Sequence, residues 1–466
     1  MAVDKNRREF MKNGVKAAAA LFTTNLFTGN MRGANDRIRI GMIGPGHQGM
    51  GLMKTFMHNP GCELAACCDV YEPVLHKALA VARQEKQIRP SAYRDFREVV
   101  SRSDIDAVVI ATPDHWHALM AVEACKAGKD VYVEKPVSLS IEEGQKMVEA
   151  SRTHNRVIQV GTQQRSQGHF ENAVHIVRSG FLGDVTLAEA WIDGDGPIGS
   201  PVDTDLPAGL DWNLWLGPAR YRPFNENRFG MRLNDKGDFT GWSTFRRFWD
   251  YAGGMMTDWG VHLLDIVLWG LNANGPTEIS SLGRKRWSDA EDNGETPHEM
   301  LVAYKFPSCM CMFRHLTHAT QQNKSRLDGR GRDHGMRFEG NAGRALIVNR
   351  FGYEVLSADP IQESIRVEVD GARVDVPLRA TTEQFPTART GGHIDNFLQC
   401  MRSRSRPVSD IEIGHRSTVM CHLGNIAYRT GETIGWDPKN ERVTRGSADA
   451  HELLKHAYRK PWKLEV

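Results

Sequence analysis

Short apolar runs separated by helical patterns organise the chain between residues 36 and 161. The runs are apolar with little alternation, which is typical of strands that are buried on both faces of a sheet. They occupy residues 37–43, 63–69, 104–111, 130–133 and 156–161. Because strands that alternate with helices build parallel sheets, we predict an α/β fold whose N-terminal domain, 36–161, is doubly wound.

A different pattern begins after residue 161. Segments 300–306 and 310–316 have strand character and are joined by a short turn, and late helical patterns begin at Gly391 and span 408–429. This order predicts a C-terminal α+β domain over 162–430 with an open, mostly antiparallel sheet. The remaining residues, 431–466, form a tail that we expect to pack across both domains.

A glycine-rich turn follows the first predicted strand. Its sequence is G-x-G-x-x-G, and a helical pattern comes directly after it. In such a turn the first glycine permits the tight bend, the second lets the backbone approach a pyrophosphate, and the third lets helix and strand pack closely. The helix N-terminus then faces the anion. We therefore predict a dinucleotide site that includes Gly44, Gly46, His47, Gln48 and Gly49.

An acidic residue ends the second predicted strand. Asp69 lies 20 residues after Gly49, where a carboxylate accepts hydrogen bonds from the adenosine ribose and repels a 2′-phosphate. Val70 and Tyr71 follow it, and neither is an arginine. The cofactor predicted is NAD in preference to NADP; the alternative for Asp69 is a simple turn residue.

Polar residues follow the other predicted strands. Ligands of doubly wound sheets bind at the carboxyl ends of the strands, so these residues are predicted to face one crevice as cofactor ligands. They are Thr112, Pro113, His115, His117, Glu134 and Lys135. Gln164 and Arg165 follow the last strand and either bind substrate hydroxyl groups or belong to a connecting loop.

The order and spacing of three motifs resemble one protein family. These are the glycine turn, the 112–117 segment and Glu134-Lys135-Pro136. Together they are similar to the Gfo/Idh/MocA family, named after glucose–fructose oxidoreductase and inositol dehydrogenase, and the likeness extends over residues 37–431. Segment 253–262 resembles the family's catalytic helix. The resemblance implies an NAD(P)-dependent oxidoreductase acting on CH–OH groups, and a homodimer or homotetramer.

The resemblance also implies that Lys135, Asp258 and His262 surround the reacting carbon. Asp258 and His262 are four residues apart, so they share one face of a helix. Polar groups in such an apolar segment need either hydrogen-bond partners or a functional role. His262 is suited to take the hydroxyl proton. Lys135 either polarises the developing alkoxide or is itself the base. Asp258 either binds a substrate hydroxyl or orients His262.

A long segment rich in tryptophan points to the substrate. Residues 194–251 contain Trp212, Trp215, Trp242 and Trp249 among many prolines and glycines. These rings either stack on a sugar or fill the core of the second domain. Long loops in compact domains are usually functional, so we favour a sugar, glycoside or cyclitol substrate.

Composition excludes several classes of protein. The 466 residues contain 59 basic and 57 acidic side chains, a net charge of +2 that argues against nucleic-acid binding through bulk charge. Outside the N-terminal 35 residues, no apolar run approaches the length of a membrane span. The eight cysteines form no C-x-x-C motif, and no metal is expected.

The N-terminus has the pattern of an export signal. Arg7-Arg8-Glu9-Phe10-Met11-Lys12 precedes an alanine-rich apolar stretch at 15–27. Residues 1–35 are therefore predicted to be a twin-arginine-type signal peptide, and the alternative is an amphipathic helix. A functional signal implies a periplasmic protein that carries its cofactor tightly bound; otherwise the protein is cytoplasmic.

Three functions remain open at this point. The first is hydride transfer between a carbohydrate hydroxyl and the nicotinamide cofactor. The second is an NAD-dependent glycoside hydrolase, which oxidises C3 transiently and then eliminates the aglycone. The third is a non-catalytic sugar or nucleotide sensor, against which the presence of Lys135, Asp258 and His262 argues.

Overall fold

The computed structural model of the chain describes residues 37–194, 196–234, 237–240, 243–317, 333–369, 371–385 and 391–466. The predicted signal peptide, 1–35, and Trp242 lie outside these ranges. Within them, no helix is long and apolar enough to span a membrane.

The N-terminal part contains a six-stranded parallel sheet with the order β3-β2-β1-β4-β5-β6. Its strands are β1 (Ile38–Ile43), β2 (Cys62–Cys68), β3 (Ser91–Tyr93), β4 (Ala107–Ile110), β5 (Asp130–Val133) and β6 (Ile158–Val160). The helices around it are α1 (His47–His58), α2 (Glu72–Lys86), α3 (Phe96–Val100), α4 (His117–Lys126) and α5 (Ile141–Thr153). This confirms the doubly wound α/β prediction, although β4 and β6 are shorter than their apolar runs.

The C-terminal part is built on a ten-stranded sheet with the order β16-β13-β12-β11-β7-β10-β9-β8-β17-β18. The strands of this sheet are β7 (Val185–Asp193), β8 (Glu278–Arg284), β9 (Glu299–Lys305), β10 (Met310–Leu316), β11 (His334–Gly340), β12 (Arg344–Asn349), β13 (Gly352–Ser357), β16 (Arg379–Thr381), β17 (Ile434–Asp437) and β18 (Arg442–Arg445). Strands β14 (Ser364–Val369) and β15 (Ala372–Pro377) form a separate hairpin. Strands β7 and β10 are parallel and the other pairs are antiparallel, so the predicted open, mostly antiparallel sheet is confirmed.

The remaining helices pack against the two sheets or connect them. They are α6 (Gly168–Arg178), α7 (Trp212–Leu216), α8 (Glu226–Phe229), α9 (Gly254–Asp258), α10 (Gly260–Leu271), α11 (Gly391–Ser403), α12 (Ile411–Thr430) and α13 (Ala448–Glu452). Helices α6, α10 and α12 cover one face of the ten-stranded sheet and share its apolar core. Along β9, Met300, Val302 and Tyr304 point into that core while Leu301 is exposed, as the period of two requires.

The chain crosses between its two parts more than once. Helix α11 lies inside the predicted second domain, yet Phe397 packs edge-on against Phe56 and Tyr132 of the first sheet, with ring centroids 6.3 and 5.9 Å apart. In the tail, Trp462 contacts Trp116 at 4.9 Å, and the Arg459 N–H donates to the Pro218 carbonyl at 2.8 Å. The predicted domain boundaries remain predictions.

Buried histidines make stability depend on pH. Burial lowers the pKa of eight imidazoles among the described residues: to about 3 or 4 for five of them, and below the usual value for the other three. The five are His115, His117, His315, His393 and His422, and the other three are His262, His334 and His456. As the pH falls below the unfolded value of about 6.5, the unfolded chain takes up these protons and the folded chain does not. Stability present above pH 6.5 is therefore lost on acidification.

Five carboxyl groups of the described residues act in the opposite direction. Burial raises the pKa of Asp69, Asp114 and Glu143 to about 7 and also raises the pKa of Glu134 and Asp193, so the folded state binds protons more readily than the unfolded state above pH 4. Acidification from pH 7 to pH 5 costs about 2 kcal/mol for each histidine whose pKa is about 3 or 4, and the eight histidines outnumber the five carboxyl groups. We expect urea unfolding to give a lower free energy of unfolding at pH 5 than at pH 7; an equal or higher value would contradict this balance.

Candidate active site

A cleft of about 460 Å³ lies at the carboxyl ends of β1, β2, β4 and β5. Side chains from the ten-stranded part, among them Trp259 and Arg350, form the rest of its wall. Twelve of the predicted site residues line this cleft: Gly44, Gly46, His47, Gln48, Asp69, Thr112, Pro113, Glu134, Lys135, Gln164, Asp258 and His262.

The glycine turn is required by its own geometry. Gly44 has φ +78°, and a Cβ atom on it would lie 2.9 Å from the Ala111 carbonyl oxygen. At Gly49 a Cβ atom would lie 2.0 Å from the Gly44 carbonyl oxygen, so the helix packs directly on the turn. Gly46 differs, because among the described residues the end of Met231 at 3.0 Å is the only neighbour that a Cβ atom would have within 4 Å. Its backbone is therefore open to a ligand in the cleft.

The residues present fit a dinucleotide. Helix α1 begins after Gly46 without a side-chain cap and has no acidic residue in its first turn, which leaves its N–H groups available to an anion. Asp69 lies at the end of β2 in the same cleft and accepts the Tyr71 N–H at 2.9 Å. Burial raises the pKa of Asp69 to about 7, against the opposing effect of backbone hydrogen bonds from Tyr71 and Val70.

Glu134 ties the glycine helix to β5. Its Oε1 accepts hydrogen bonds from Gln48 Nε2 at 3.1 Å and from Gln163 Nε2 at 3.2 Å. Burial raises its pKa, although the charge of Lys135 and these hydrogen bonds oppose the rise. A Cβ atom on Gly161 would lie 2.8 Å from Oε1, so this carboxyl group is closely packed.

Two cations hold the carboxylate of Asp258. Lys135 Nζ donates to its Oδ1 at 2.6 Å and to its carbonyl oxygen at 3.1 Å, and Arg246 Nε donates to the same Oδ1 at 3.0 Å. Burial alone would raise the pKa of Asp258, but the charges and hydrogen bonds of Lys135 and Arg246 outweigh it and keep the pKa below its usual value. Within the described residues, Asp258 Oδ2 has no hydrogen-bond partner.

His262 is a buried neutral imidazole. Asp258 ends α9, Trp259 follows, and α10 begins at Gly260, so the predicted single helix is two short helices in series. Burial is the main cause that holds the pKa of His262 well below its usual value, and the charge of Lys135 adds to it. Its Nδ1 has no hydrogen-bond partner among the described residues. A neutral ring with a bare nitrogen is able to accept a proton.

The structure does not bring His115 and His117 to the cleft. His117 lies behind the wall, where its ring nitrogens are 2.7 and 2.9 Å from the carbonyl oxygens of Pro136 and Thr112. It joins the two loops that follow β4 and β5. His115 Nε2 lies 3.1 Å from the Trp215 carbonyl oxygen and is fully buried. Both imidazoles support the backbone of the site.

Gln164 and Arg165 have different environments. Gln164 lines the cleft, is 3% exposed, and has no hydrogen-bond partner in the described part of the chain for either amide atom. Arg165 lies outside the cleft wall and forms a two-pronged ion pair with Asp265, with Nε–Oδ2 at 2.7 Å and NH2–Oδ1 at 2.9 Å. The ion pair therefore gives Asp265 a structural role.

The Arg165–Asp265 pair yields a stability prediction. Both side chains are buried, so Arg165→Gln leaves an uncompensated carboxylate and should lower the free energy of unfolding by about 3 kcal/mol. Substrate affinity per folded molecule should stay close to wild type. Denaturant unfolding and KM test this, and Arg165→Gln combined with Asp265→Asn should recover part of the loss. A large rise in KM without a loss of stability would instead make Arg165 a substrate ligand.

Two of the four tryptophans, Trp212 and Trp215, fill a core. Trp212 and Trp215 stack with centroids 4.6 Å apart in an aromatic cluster with Phe224 and Phe229. Both indoles are 5% exposed, and Trp215 also lines the cleft. Of the two alternatives, filling a core therefore fits both rings, and Trp215 also forms part of the cleft wall.

Sequence reasoning missed several polar and aromatic residues of the site, and four of them stand out. Asp114, Arg246, Trp259 and Arg350 all line the cleft. Arg246 lies in the long 194–251 segment, whose length was a general signal of function, and Asp114 stands between two predicted ligands. Arg350 stacks on Trp259 with 4.2 Å between the guanidinium and the ring centroid. No pattern in the sequence predicts this contact. No group of three or more His, Cys, Asp or Glu residues in the described ranges has metal-site geometry.

Family models match most of the chain. Residues 38–162 match the NAD-binding Rossmann fold of the oxidoreductase family Gfo/Idh/MocA. Residues 199–292 and 368–464 match the C-terminal alpha/beta domain of the same family. The matched ranges cover about two thirds of the chain.

Curated relatives include glycoside hydrolases. A glycosyl hydrolase family 109 protein of Shewanella sp. strain W3-18-1 is 32% identical over an alignment of 209 residues that covers 40% of this chain and 45% of the relative. An alpha-N-acetylgalactosaminidase of Shewanella oneidensis is 30% identical over 209 residues, with the same two shares. The alignment thus spans less than half the length of the curated relatives it matches.

A solved structure shares the fold. The WlbA dehydrogenase from Bordetella pertussis, in complex with NADH and UDP-GlcNAcA, superposes with a TM-score of 0.58 at 17% identity, covering 86% of this chain and 99% of that one. The two sheets of this chain, the glycine turn on β1 and the matching domain models agree with one another, and the chain belongs to the Gfo/Idh/MocA family of oxidoreductases.

Proposed function

We propose that this chain is an oxidoreductase that transfers a hydride between a hydroxyl-bearing carbon of a sugar, glycoside or cyclitol and a nicotinamide cofactor. One observation carries the proposal. Lys135, Asp258 and His262 line the same cleft as the glycine turn, and two of their polar atoms, Asp258 Oδ2 and His262 Nδ1, have no partner within the described residues. Buried polar atoms without partners are costly, so a ligand that satisfies them is expected.

The cofactor would lie along the glycine turn, with the pyrophosphate at the start of α1 and the ribose at Asp69. When bound, the cofactor supplies the hydride acceptor. His262 takes the proton of the substrate hydroxyl at Nδ1, since its ring is neutral. The Lys135 ammonium group stabilises the negative charge that develops on that oxygen. Asp258 holds Lys135 through Oδ1 and presents Oδ2 to a neighbouring hydroxyl.

The carboxylate of Asp69 favours NAD over NADP. Arg94 also lines this end of the cleft, but its NH1 lies 3.1 Å from Glu72 Oε1, so part of its charge is already paired. We expect NAD to bind about tenfold or more tightly than NADP above pH 7, where Asp69 is charged. Quenching of tryptophan fluorescence by each nucleotide measures this, and Asp69→Asn should narrow the difference. Tighter binding of NADP would show that the charge of Arg94, and not that of Asp69, decides which cofactor binds more tightly.

The substrate site is suited to hydroxyl and amide groups. Gln164 offers one donor and one acceptor, both without partners in the described chain, and Trp215 and Trp259 contribute aromatic surface to the cleft. Sugars and cyclitols present hydroxyl groups of both kinds beside apolar C–H faces. We infer that Gln164 binds such groups.

A second candidate is a redox-neutral glycoside hydrolase, and the curated relatives favour it. In this cycle oxidation at C3 acidifies the C2 proton, the aglycone is eliminated, and the hydride returns after water has added. Protein purified without added cofactor should be mixed with a panel of sugars and glycosides. A lasting near-ultraviolet band of reduced nicotinamide with a keto-sugar product identifies a dehydrogenase. Released free sugar without a lasting band identifies the hydrolase.

We also propose export and self-assembly. The twin-arginine pattern at 7–12 supports export with the cofactor already bound, so cofactor should co-purify from the periplasm near one per chain. An apo protein there would contradict this.

The open face of the ten-stranded sheet exposes Leu282 and Met310, at 76% and 63%, and this supports a homodimer or homotetramer. Light scattering measures the oligomer.

A further inference from the structure

Asp114 is a buried carboxyl group in the cleft with no task in the scheme above. It is the first residue of the short helix Asp114–Trp116 that follows β4, and it is 5% exposed. It lines the same cleft as Lys135, Arg246 and Asp258. No side chain in the described ranges donates a hydrogen bond to it, and its own backbone N–H is the donor that it has. A carboxyl group buried in this way calls for a ligand.

The nearby cations are committed elsewhere. Lys135 Nζ and Arg246 Nε both donate to Asp258 Oδ1 and so neutralise that carboxylate first. Burial raises the pKa of Asp114 to about 7; the charges of Arg246 and Lys135 oppose the rise, and that of Asp258 adds to it. Near neutrality Asp114 therefore populates both protonation states, which is the condition under which a carboxyl group gives and takes protons well.

Oxidation of a hydroxyl group uses one proton acceptor, and His262 supplies it. Elimination needs a second one, because the C–H proton beside the new carbonyl must leave while His262 still holds the hydroxyl proton. Asp114 and Glu134 are cleft carboxyl groups beside Lys135 that no cation holds by a hydrogen bond within the described chain, and Glu134 is already held by the amides of Gln48 and Gln163. Asp258 is held by two cations and is a weak base by comparison.

We propose that Asp114 is the group that removes the proton from the carbon next to the oxidised carbon and later returns it. The inference rests on the proposed function in its hydrolytic form. The Asp114 carboxylate takes the C2 proton, the C–H electron pair forms the C1–C2 double bond, and the C1–O bond breaks. The aglycone oxygen receives the proton that His262 took from the C3 hydroxyl. Water then adds its oxygen to C1 and gives one proton to His262, while Asp114 returns its proton to C2. The hydride returns to C3 and His262 protonates the C3 oxygen, which closes the cycle without net oxidation.

Solvent deuterium exchange tests this assignment. The cofactor-loaded protein is incubated in heavy water with aryl glycosides, beginning with nitrophenyl α-N-acetylgalactosaminide, and three signals are followed. These are the near-ultraviolet band of reduced nicotinamide, deuterium at C2 by NMR, and release of nitrophenol. In Asp114→Asn, which keeps the shape and removes the carboxylate, the band should form and persist. Deuterium incorporation and nitrophenol release should each fall by about 100-fold or more.

Two further variants keep the test decisive. Asp114→Glu retains a carboxyl group and should recover part of the exchange. Asp289→Asn removes an exposed carboxylate, 90% accessible and paired with Lys285 outside the cleft, and should match wild type in every signal. Thermal melting and cofactor binding confirm that each variant is folded. Wild-type exchange in a folded Asp114→Asn would overturn the role of Asp114, whereas absence of even a transient nicotinamide band after rapid mixing of wild type with the glycoside would overturn the proposed function itself.

Discussion

Replacing Lys135 by methionine should reduce turnover by about a thousandfold or more while the fold and the cofactor affinity stay close to wild type. Lys135 Nζ is the cation that lies 2.6 Å from Asp258 Oδ1 at the cleft wall. Its charge stabilises the oxygen from which the proton leaves. Methionine keeps the length and the apolar stem of the side chain and removes only the ammonium group.

The fold should tolerate this change because Asp258 keeps a second partner. Arg246 Nε donates to the same carboxylate oxygen at 3.0 Å, so Asp258 is not left as a lone buried anion. Steady-state kinetics, thermal melting and nucleotide titration separate the effect on chemistry from effects on folding and binding. Lys126→Met is the matched control, since Lys126 forms a surface pair with Glu123 away from the cleft. Undiminished turnover in folded Lys135→Met would refute the site assignment.

Gly49→Ala should abolish measurable cofactor binding and lower the free energy of unfolding by about 3 kcal/mol. The added methyl group would lie 2.0 Å from the Gly44 carbonyl oxygen. That oxygen belongs to the turn itself, so relief requires α1 to move away from β1. The first turn of α1 would then no longer face the anion site. Isothermal titration with NAD and denaturant unfolding measure the two effects.

A control lies two residues further along the same helix. In the described part of the chain, no atom outside its own helix lies within 4 Å of the position of a Cβ atom on Gly51, and its helical conformation suits alanine. Gly51→Ala should therefore bind NAD as wild type does and gain up to about 1 kcal/mol of stability from helix propensity. Equal effects of the two substitutions would show that the glycine turn does not set the position of the helix.

Hydrophobic patterning was sufficient for five of the six strands of the first sheet because those strands are buried on both faces, but it missed β3, whose residues are exposed or half-buried. The strand ends carried Asp69, Glu134 and Lys135 to one cleft, as the topology of parallel sheets demands. The spacing of Asp258 and His262 placed them together even though Trp259 separates two helices, because the backbone at Trp259 stays helical. In these places local sequence and fold point to the same answer.

Side-chain direction after a strand end was beyond the sequence. His117 and Lys135 both follow strands, yet His117 turns inward to two carbonyl oxygens and Lys135 turns into the cleft. Arg165 pairs with Asp265, a residue 100 positions away. Arg246 reaches the site from a segment with no regular pattern. Contacts between distant parts of the chain decide where these side chains point, and such contacts leave no local pattern in a single sequence.

Hydride transfer to the cofactor is the central claim, and isotope transfer tests it most directly. The cofactor-loaded protein is mixed with a substrate deuterated at the carbon that is to be oxidised, and the cofactor is analysed by mass spectrometry after a single turnover. The deuterium should appear on the nicotinamide of the wild-type protein and be absent from that of Lys135→Met. Conversion of the substrate by wild type with all deuterium retained on its original carbon, and none detected on the nicotinamide at any time, would contradict the proposed function.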